Sequence, residues 1–262
     1  MAWSRDWKDS MTFVHKIINA AARFPYNPSD KRYLVDTILQ QLPGVTYQRL
    51  REFGFVPGGI VDVDACDGEW SRIIRQVFGR APILMIEARD EQRQSLTGAL
   101  ADIPDSQYLI SLLGRESAPS IPFYVCESGS SLFIERSNAM KAERTIPMAT
   151  LDDTMENFKE LSAPLFLKLD IQGAELECLR GAISTLQRTE VVQLEAALLN
   201  YNEGAPHAAE VIAFMSEHGF ALFDVAGFVR QNGGNLVQLD LVFVGKNSKL
   251  RKDTFKFGQA AE

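Results

Sequence analysis

From Ile60 to Val244 short apolar runs alternate with amphipathic stretches, and that alternation restricts the fold more than any other property of the chain. Runs at Ile60–Val63, Ile83–Ile86, Tyr108–Leu112, Leu165–Leu169, Val191–Leu194, Ala221–Val225 and Leu239–Val244 are too short for buried helices and read as strands. Between them Glu69–Phe78, Asp90–Leu100, Ala174–Leu186 and Ala208–His218 keep helical spacing. Strand and helix in turn predict an α/β fold with a mainly parallel sheet covered on both faces. In such sheets ligands bind at the carboxyl ends of the strands.

Three polar sites fall at strand ends. The first is IVDVDACDGEW, a strand, a turn and a helix start. A loop that cradles a pyrophosphate is rich in glycine. This one has a single glycine, Gly68, beside Asp64, Asp67 and Glu69, and carboxylates against phosphates repel. A phosphate-free ligand carrying a sulfonium and an ammonium group suits it, and S-adenosylmethionine (SAM) has those features. Asp62, Asp64, Ala65 and Gly68 are the candidate contacts, with Asp64 expected to meet the ammonium end. The second site is Glu87-Ala88, about 20 residues on, where an acid accepts hydrogen bonds from both ribose hydroxyls.

The third site is KLDIQGAELECLRGA, Lys168 to Ala182. Asp170 closes the strand, and Gly173 opens a helix with Leu176, Leu179, Ala182 and Ile183 on one face and Glu175 in its first turn. Candidate groups to take a proton from a hydroxyl are Asp170, which is also a candidate cofactor contact, Glu195 at the end of the next strand, and His207 in the loop beyond. The same three side chains offer a divalent-metal alternative. Lys168 reads as a strand residue that faces the site or pairs with Glu195, and Asp152 and Asp153 as helix N-terminal acids. Ser130 and Ser131 are placed to touch the cofactor, Tyr201 and Phe133 to line a pocket, and Phe220, Phe223 and Phe228 to fill core.

These segments together resemble the FkbM-type SAM-dependent methyltransferases. KLDIQGAELECLRGA is similar to that family's pattern K-[IL]-D-[IV]-[EQ]-G-x-E-x-x-x-L-x-G-A. VDVDACDGEW resembles its V-D-V-G-A-N-x-G, IEARDE its second-strand acid, SGSSLF its Ser-Ser-Leu loop and IPMATLDDTM its Thr-Leu-Asp-Asp element. The resemblance spans Gly59 to Val244. It implies a Rossmann-like seven-stranded sheet with the last strand antiparallel. It also implies SAM as cofactor, and methyl transfer to a hydroxyl of a small molecule such as a sugar or polyketide. Two positions depart from the pattern: Asp64 replaces a glycine and Cys66 an asparagine. A non-catalytic SAM-fold binding protein and a dinucleotide-dependent oxidoreductase are the competing readings.

The remainder bounds the setting. Residues 1–57 read as a helical cap, with helices around Phe13–Ala21, Tyr33–Leu42 and Tyr47–Phe53; residues 58–246 form the catalytic domain and 247–262 a polar tail. The cap is expected to be packed surface, a dimer face or a lid over the substrate. A net charge of −7 argues against nucleic-acid or anionic-membrane partners. Cys66, Cys126 and Cys178 are widely spaced and read as free thiols. MAWSRDWKDS does not read as a signal peptide, and no apolar run approaches the roughly 18 residues of a membrane span. A cytoplasmic protein, possibly homodimeric, with a small-molecule acceptor is expected.

Overall fold

The computed structural model describes residues 44–126, 129–136, 142–231 and 235–251. The helices expected around Phe13–Ala21 and Tyr33–Leu42, and most of the tail, lie outside the described residues. Helix α1 is Val45–Glu52; β1 (Gly59–Val63), α2 (Glu69–Phe78), β2 (Ile83–Glu87), α3 (Arg93–Asp102) and β3 (Ser106–Ile110) follow. A 3-10 turn, Asp90–Gln92, takes the start of the helix expected from Asp90. Next come β4 (Leu112–Leu113), β5 (Ala118–Val125), β6 (Ala142–Ala149), α4 (Leu151–Met155) and β7 (Leu165–Leu169). The last elements are α5 (Glu175–Arg180), α6 (Ile183–Gln187), β8 (Thr189–Ala197), α7 (Ala208–Glu217), β9 (Phe220–Arg230) and β10 (Leu236–Gly245).

Seven strands form one sheet in the order β3-β2-β1-β7-β8-β10-β9. The pairs β3–β2, β2–β1, β1–β7 and β7–β8 are parallel. The final strand, β10, runs antiparallel between β8 and β9. This is the Rossmann-like methyltransferase arrangement, with its strand order reversing between β1 and β7. Every residue of β1, β2 and β7 is buried, because helices cover both faces, and this is why those strands are apolar apart from Asp62, Glu87 and Lys168. One core lies under α4 to α7 and includes Leu167, Leu176, Leu179 and Met215. The other lies under α1 to α3. There Phe166 is met edge-on by Tyr47, Phe55, Trp70 and Phe78.

Two elements differ from expectation. The strand expected over Tyr108–Leu112 leaves the main sheet at Ser111. The Ser111 amide makes the last bond, to Glu87 O at 2.8 Å, and β2 ends there. Leu112 and Leu113 then pair with β6 in a second sheet, β4-β6-β5. The helix expected over Ala174–Leu186 is two helices. Gly181 packs so closely on the Gly114 carbonyl that a Cβ would lie 2.2 Å from it, and its own carbonyl accepts from Asp152 N at 3.0 Å rather than continuing the helix. The Asp152 carboxylate then caps α6, accepting from Ser184 N at 2.9 Å and Thr185 N at 2.8 Å. Phe220 is core as expected, whereas Phe228 is 40% exposed on the edge strand β9.

Candidate active site

The turn after β1 is tight and strained. Asp64, Cys66 and Gly68 all take left-handed backbone, with φ of 61°, 51° and 82°. Ala65 N reaches Ile86 O at 3.1 Å and Gly68 N reaches Ala65 O at 2.7 Å, closing the loop onto β2. A Cβ on Gly68 would lie 2.9 Å from that of Ala99, so glycine here lets α2 pack on α3. Asp64 turns into a cleft bounded by Val63, Ile86, Ala88, Leu112, Phe123 and Ser131. Among the described residues lining that cleft, Asp64 is the only ionisable one. Burial, then the neighbouring Glu87 carboxyl, push the Asp64 carboxyl well above its usual range.

Asp62 and Glu87 are placed differently from expectation. Asp62 is fully buried beneath the loop, because the β1 alternation points it at α2. Its oxygens accept from Lys168 Nζ at 3.0 Å and Ser71 Oγ at 2.7 Å. Asp62 therefore braces the loop from below and does not face the cleft. Lys168 correspondingly pairs with Asp62, and at 3.8 Å with Asp170, rather than with Glu195. Burial alone would lower the Lys168 pKa, but the carboxylates of Asp62, Asp170 and Asp64 more than reverse this. Glu87 also has internal partners. Its Oε2 accepts from Cys66 N at 2.9 Å, and its Oε1 accepts from Arg89 N at 2.9 Å and Arg89 Nε at 3.0 Å.

At the ends of β7, β8 and β10 the structure gathers a second set of acids. Asp170 keeps 39% of its side chain exposed and accepts from Gln172 Nε2 at 3.2 Å through Oδ1. Glu195 is buried and fully engaged. It accepts from Tyr201 Oη at 3.0 Å, Gln172 Nε2 at 2.9 Å and Gln238 Nε2 at 2.7 Å. Burial first, then the charge of Asp170, raise the Glu195 carboxyl well above its usual range. Asp240 pairs across the ladder with Glu195; burial, then Asp170, push it up to about 6. Glu175 lies beneath, its Oε1 accepting from Ile171 N at 2.9 Å and Gly173 N at 3.2 Å, and burial pushes it up to about 7.

His207 does not join this group. It starts α7, its backbone N donates to Glu210 Oε2 at 2.9 Å, and no described hydrogen bond or ion pair links its ring to Asp170 or Glu195. Ser131 lines the cofactor cleft, but its hydroxyl donates to Gln172 O at 2.9 Å and accepts from Phe133 N at 3.1 Å. Among the described residues no group of three or more His, Cys, Asp or Glu is arranged to hold a metal ion. No described helix is long and apolar enough to cross a membrane. Gln172, Gln238 and Asp240 are site residues that the sequence reading misses. Two polar residues, Gln238 and Asp240, within a strand that pairs on both sides are the available signal.

A mainly parallel sheet with a strand-order switch at β1 and β7, and acidic loops gathered above it, defines a Rossmann-like fold. The family model for the methyltransferase FkbM domain matches residues 62–222, and the chain belongs to that family. It is a SAM-dependent methyltransferase, which removes the dinucleotide-dependent alternative. Among curated proteins none matches the chain. Solved structures similar to it include a precorrin-6y C5,15-methyltransferase from Geobacter metallireducens, at 13% identity over 76% of this chain and 87% of that one, TM-score 0.41. A SAM-dependent methyltransferase from Aquifex aeolicus is 15% identical over 84% and 99%, TM-score 0.41. The magnesium protoporphyrin IX methyltransferase from Synechocystis PCC 6803, solved with bound SAM, is 11% identical over 89% and 84%, TM-score 0.44.

The residues present fit SAM in charge. The cleft wall carries an acid and no described cation, which suits a cationic, phosphate-free nucleoside. In shape the cleft is narrow, with about 20 Å³ open to the centre of a water-sized sphere. Asp64 and Ala88 would lie against the cofactor, whereas Glu87, engaged by Arg89 and Cys66 N, does not line the cleft.

Proposed function

We propose that this protein transfers the methyl group of SAM to a hydroxyl oxygen of a small molecule such as a sugar or polyketide, with Asp170 accepting the hydroxyl proton. The observation that carries this reading is the state of Asp170. Glu195 and Asp62 are buried and bonded within the protein, whereas Asp170 stands at the strand switch with part of its carboxylate open. When bound, SAM would supply an activated methyl group on a positively charged sulfur. Asp170 would take the proton of the acceptor hydroxyl. Lys168 Nζ lies 3.8 Å from Asp170 Oδ2. The β5–β6 loop and the loop between β8 and α7 meet beside it, through the Glu135–Asn202 bridge, and would orient the acceptor and exclude water.

The test is a panel of sugar, polyketide and phenolic alcohols incubated with radiolabelled SAM. Label in an ether product that is lost in Asp170→Asn supports the assignment; label on nitrogen or carbon products alone overturns it. A second reading, a SAM-binding protein without transfer activity, is favoured by Asp64 in the glycine position and by the narrow cleft. It predicts heat on calorimetric titration with SAM but no labelled product from any acceptor.

A further inference from the structure

Gln172 occupies a position that the assignment of Asp170 leaves unexplained. Its backbone is left-handed, φ 54°, which is uncommon for a side chain other than glycine, asparagine or aspartate. Its carbonyl is held from two directions, by Ser131 Oγ at 2.9 Å and by Asn202 Nδ2 at 2.6 Å. Ser131 belongs to the β5–β6 loop and Asn202 to the loop before α7, and both are buried. Such a double clamp maintains a conformation that local preference disfavours. The side chain then turns between two acids. One amide nitrogen donates both of its protons, to Asp170 Oδ1 at 3.2 Å and to Glu195 Oε2 at 2.9 Å.

We propose that Gln172 is a positioning residue: an uncharged amide wedged between two carboxyls that fixes Asp170 by one oxygen, leaves its other oxygen to take the proton, and ties this pair to the two loops expected to grip the acceptor. The proposal rests on the reading of Asp170 as proton acceptor. The family pattern admits glutamine or glutamate here, and this chain carries the amide. Asp170 already faces the acids Glu195 from β8, Asp240 from β10, Glu175 from α5 and Asp64 from the loop after β1, with Lys168 as the cation among them. A glutamate at 172 would add another like charge and remove both donors. Glutamine at that point supplies a hydrogen bond to each carboxyl and adds no charge.

The experiment is a carboxyl titration of the full chain labelled with 13C at aspartate and glutamate side chains, the signals assigned with Asp170→Asn and Glu195→Gln. In Gln172→Leu and in the uncharged, similarly long Gln172→Met the Asp170 midpoint is expected to rise by about one pH unit, because a donor to the carboxylate is lost. Packing alone would lower the melting temperature and leave this midpoint in place. If Gln172→Leu does not fold, Gln172→Met decides. An Asp170 midpoint within about 0.3 pH unit of wild type overturns the role of Gln172 while wild-type SAM binding by calorimetry keeps the methyltransferase site intact. Absence of SAM binding by the wild type overturns the site reading itself, whatever the midpoints do.

Discussion

Asp170 and Asp64 make opposite demands on their surroundings, and substitution separates them. Asp170→Asn keeps the shape that receives Gln172 but cannot take a proton, so methyl transfer should fall about 10²- to 10⁴-fold, read as labelled product per minute with SAM binding measured separately. Asp64 stands in left-handed backbone in an apolar cleft, where glycine costs less and an acid is poorly solvated. Asp64→Gly should therefore raise the melting temperature of the ligand-free protein. It should also weaken SAM binding about tenfold, since the charged wall of the cleft is lost; tenfold is about 1.4 kcal/mol. Tighter binding in Asp64→Gly would instead make the side chain an obstruction, and would favour the reading without transfer activity.

The strands were legible because burial on both faces writes them as mainly apolar runs, and Asp170, Glu175 and Gly173 were legible because a strand-end acid and a helix start sit in one short signature. The break between α5 and α6 was not. Leu176, Leu179, Ala182 and Ile183 keep helical spacing straight across it, although Ile183 is 43% exposed, and the cause lies 67 residues earlier in sequence at the Gly114 carbonyl. Pairings were hidden for the same reason. Nothing local says that Lys168 takes Asp62, or that Arg89 turns back onto Glu87. The contact of Gly181 with Gly114 ties the second sheet to the signature helix, and it can be measured. Gly181→Ala places a methyl group where backbone oxygen already lies, so a loss of about 1–3 kcal/mol is expected from the shift in denaturation midpoint. At Gly98 a methyl group would meet nothing within 4 Å, and Gly98→Ala in α3 should instead be neutral or slightly stabilising.

Across the whole molecule the acids gathered at the strand ends make stability depend on pH with a definite sign. Asp240 is pushed up to about 6, Glu175 up to about 7, and Asp64 and Glu195 well above their usual values, burial being the first cause in each case. The folded chain therefore holds more protons than the unfolded chain between the ordinary carboxylate range and neutrality. The stability this provides is complete below the unfolded pKa values, and it is lost as pH rises through the folded ones. The net charge of −7 at pH 7 adds self-repulsion in the same direction. The ligand-free protein should thus melt higher near about pH 5.5 than near about pH 8, and Asp240→Asn should flatten the slope. A cationic cofactor works against the same repulsion. SAM at a fixed excess should raise the melting temperature more at the higher pH, because the acids beside the cleft are then charged and a bound cation stabilises them. Thermal melts at the two pH values, with and without SAM, measure both effects. An equal SAM-induced rise at both pH values would mean that the carboxyls around Asp64 and Asp170 do not sense the cofactor's charge.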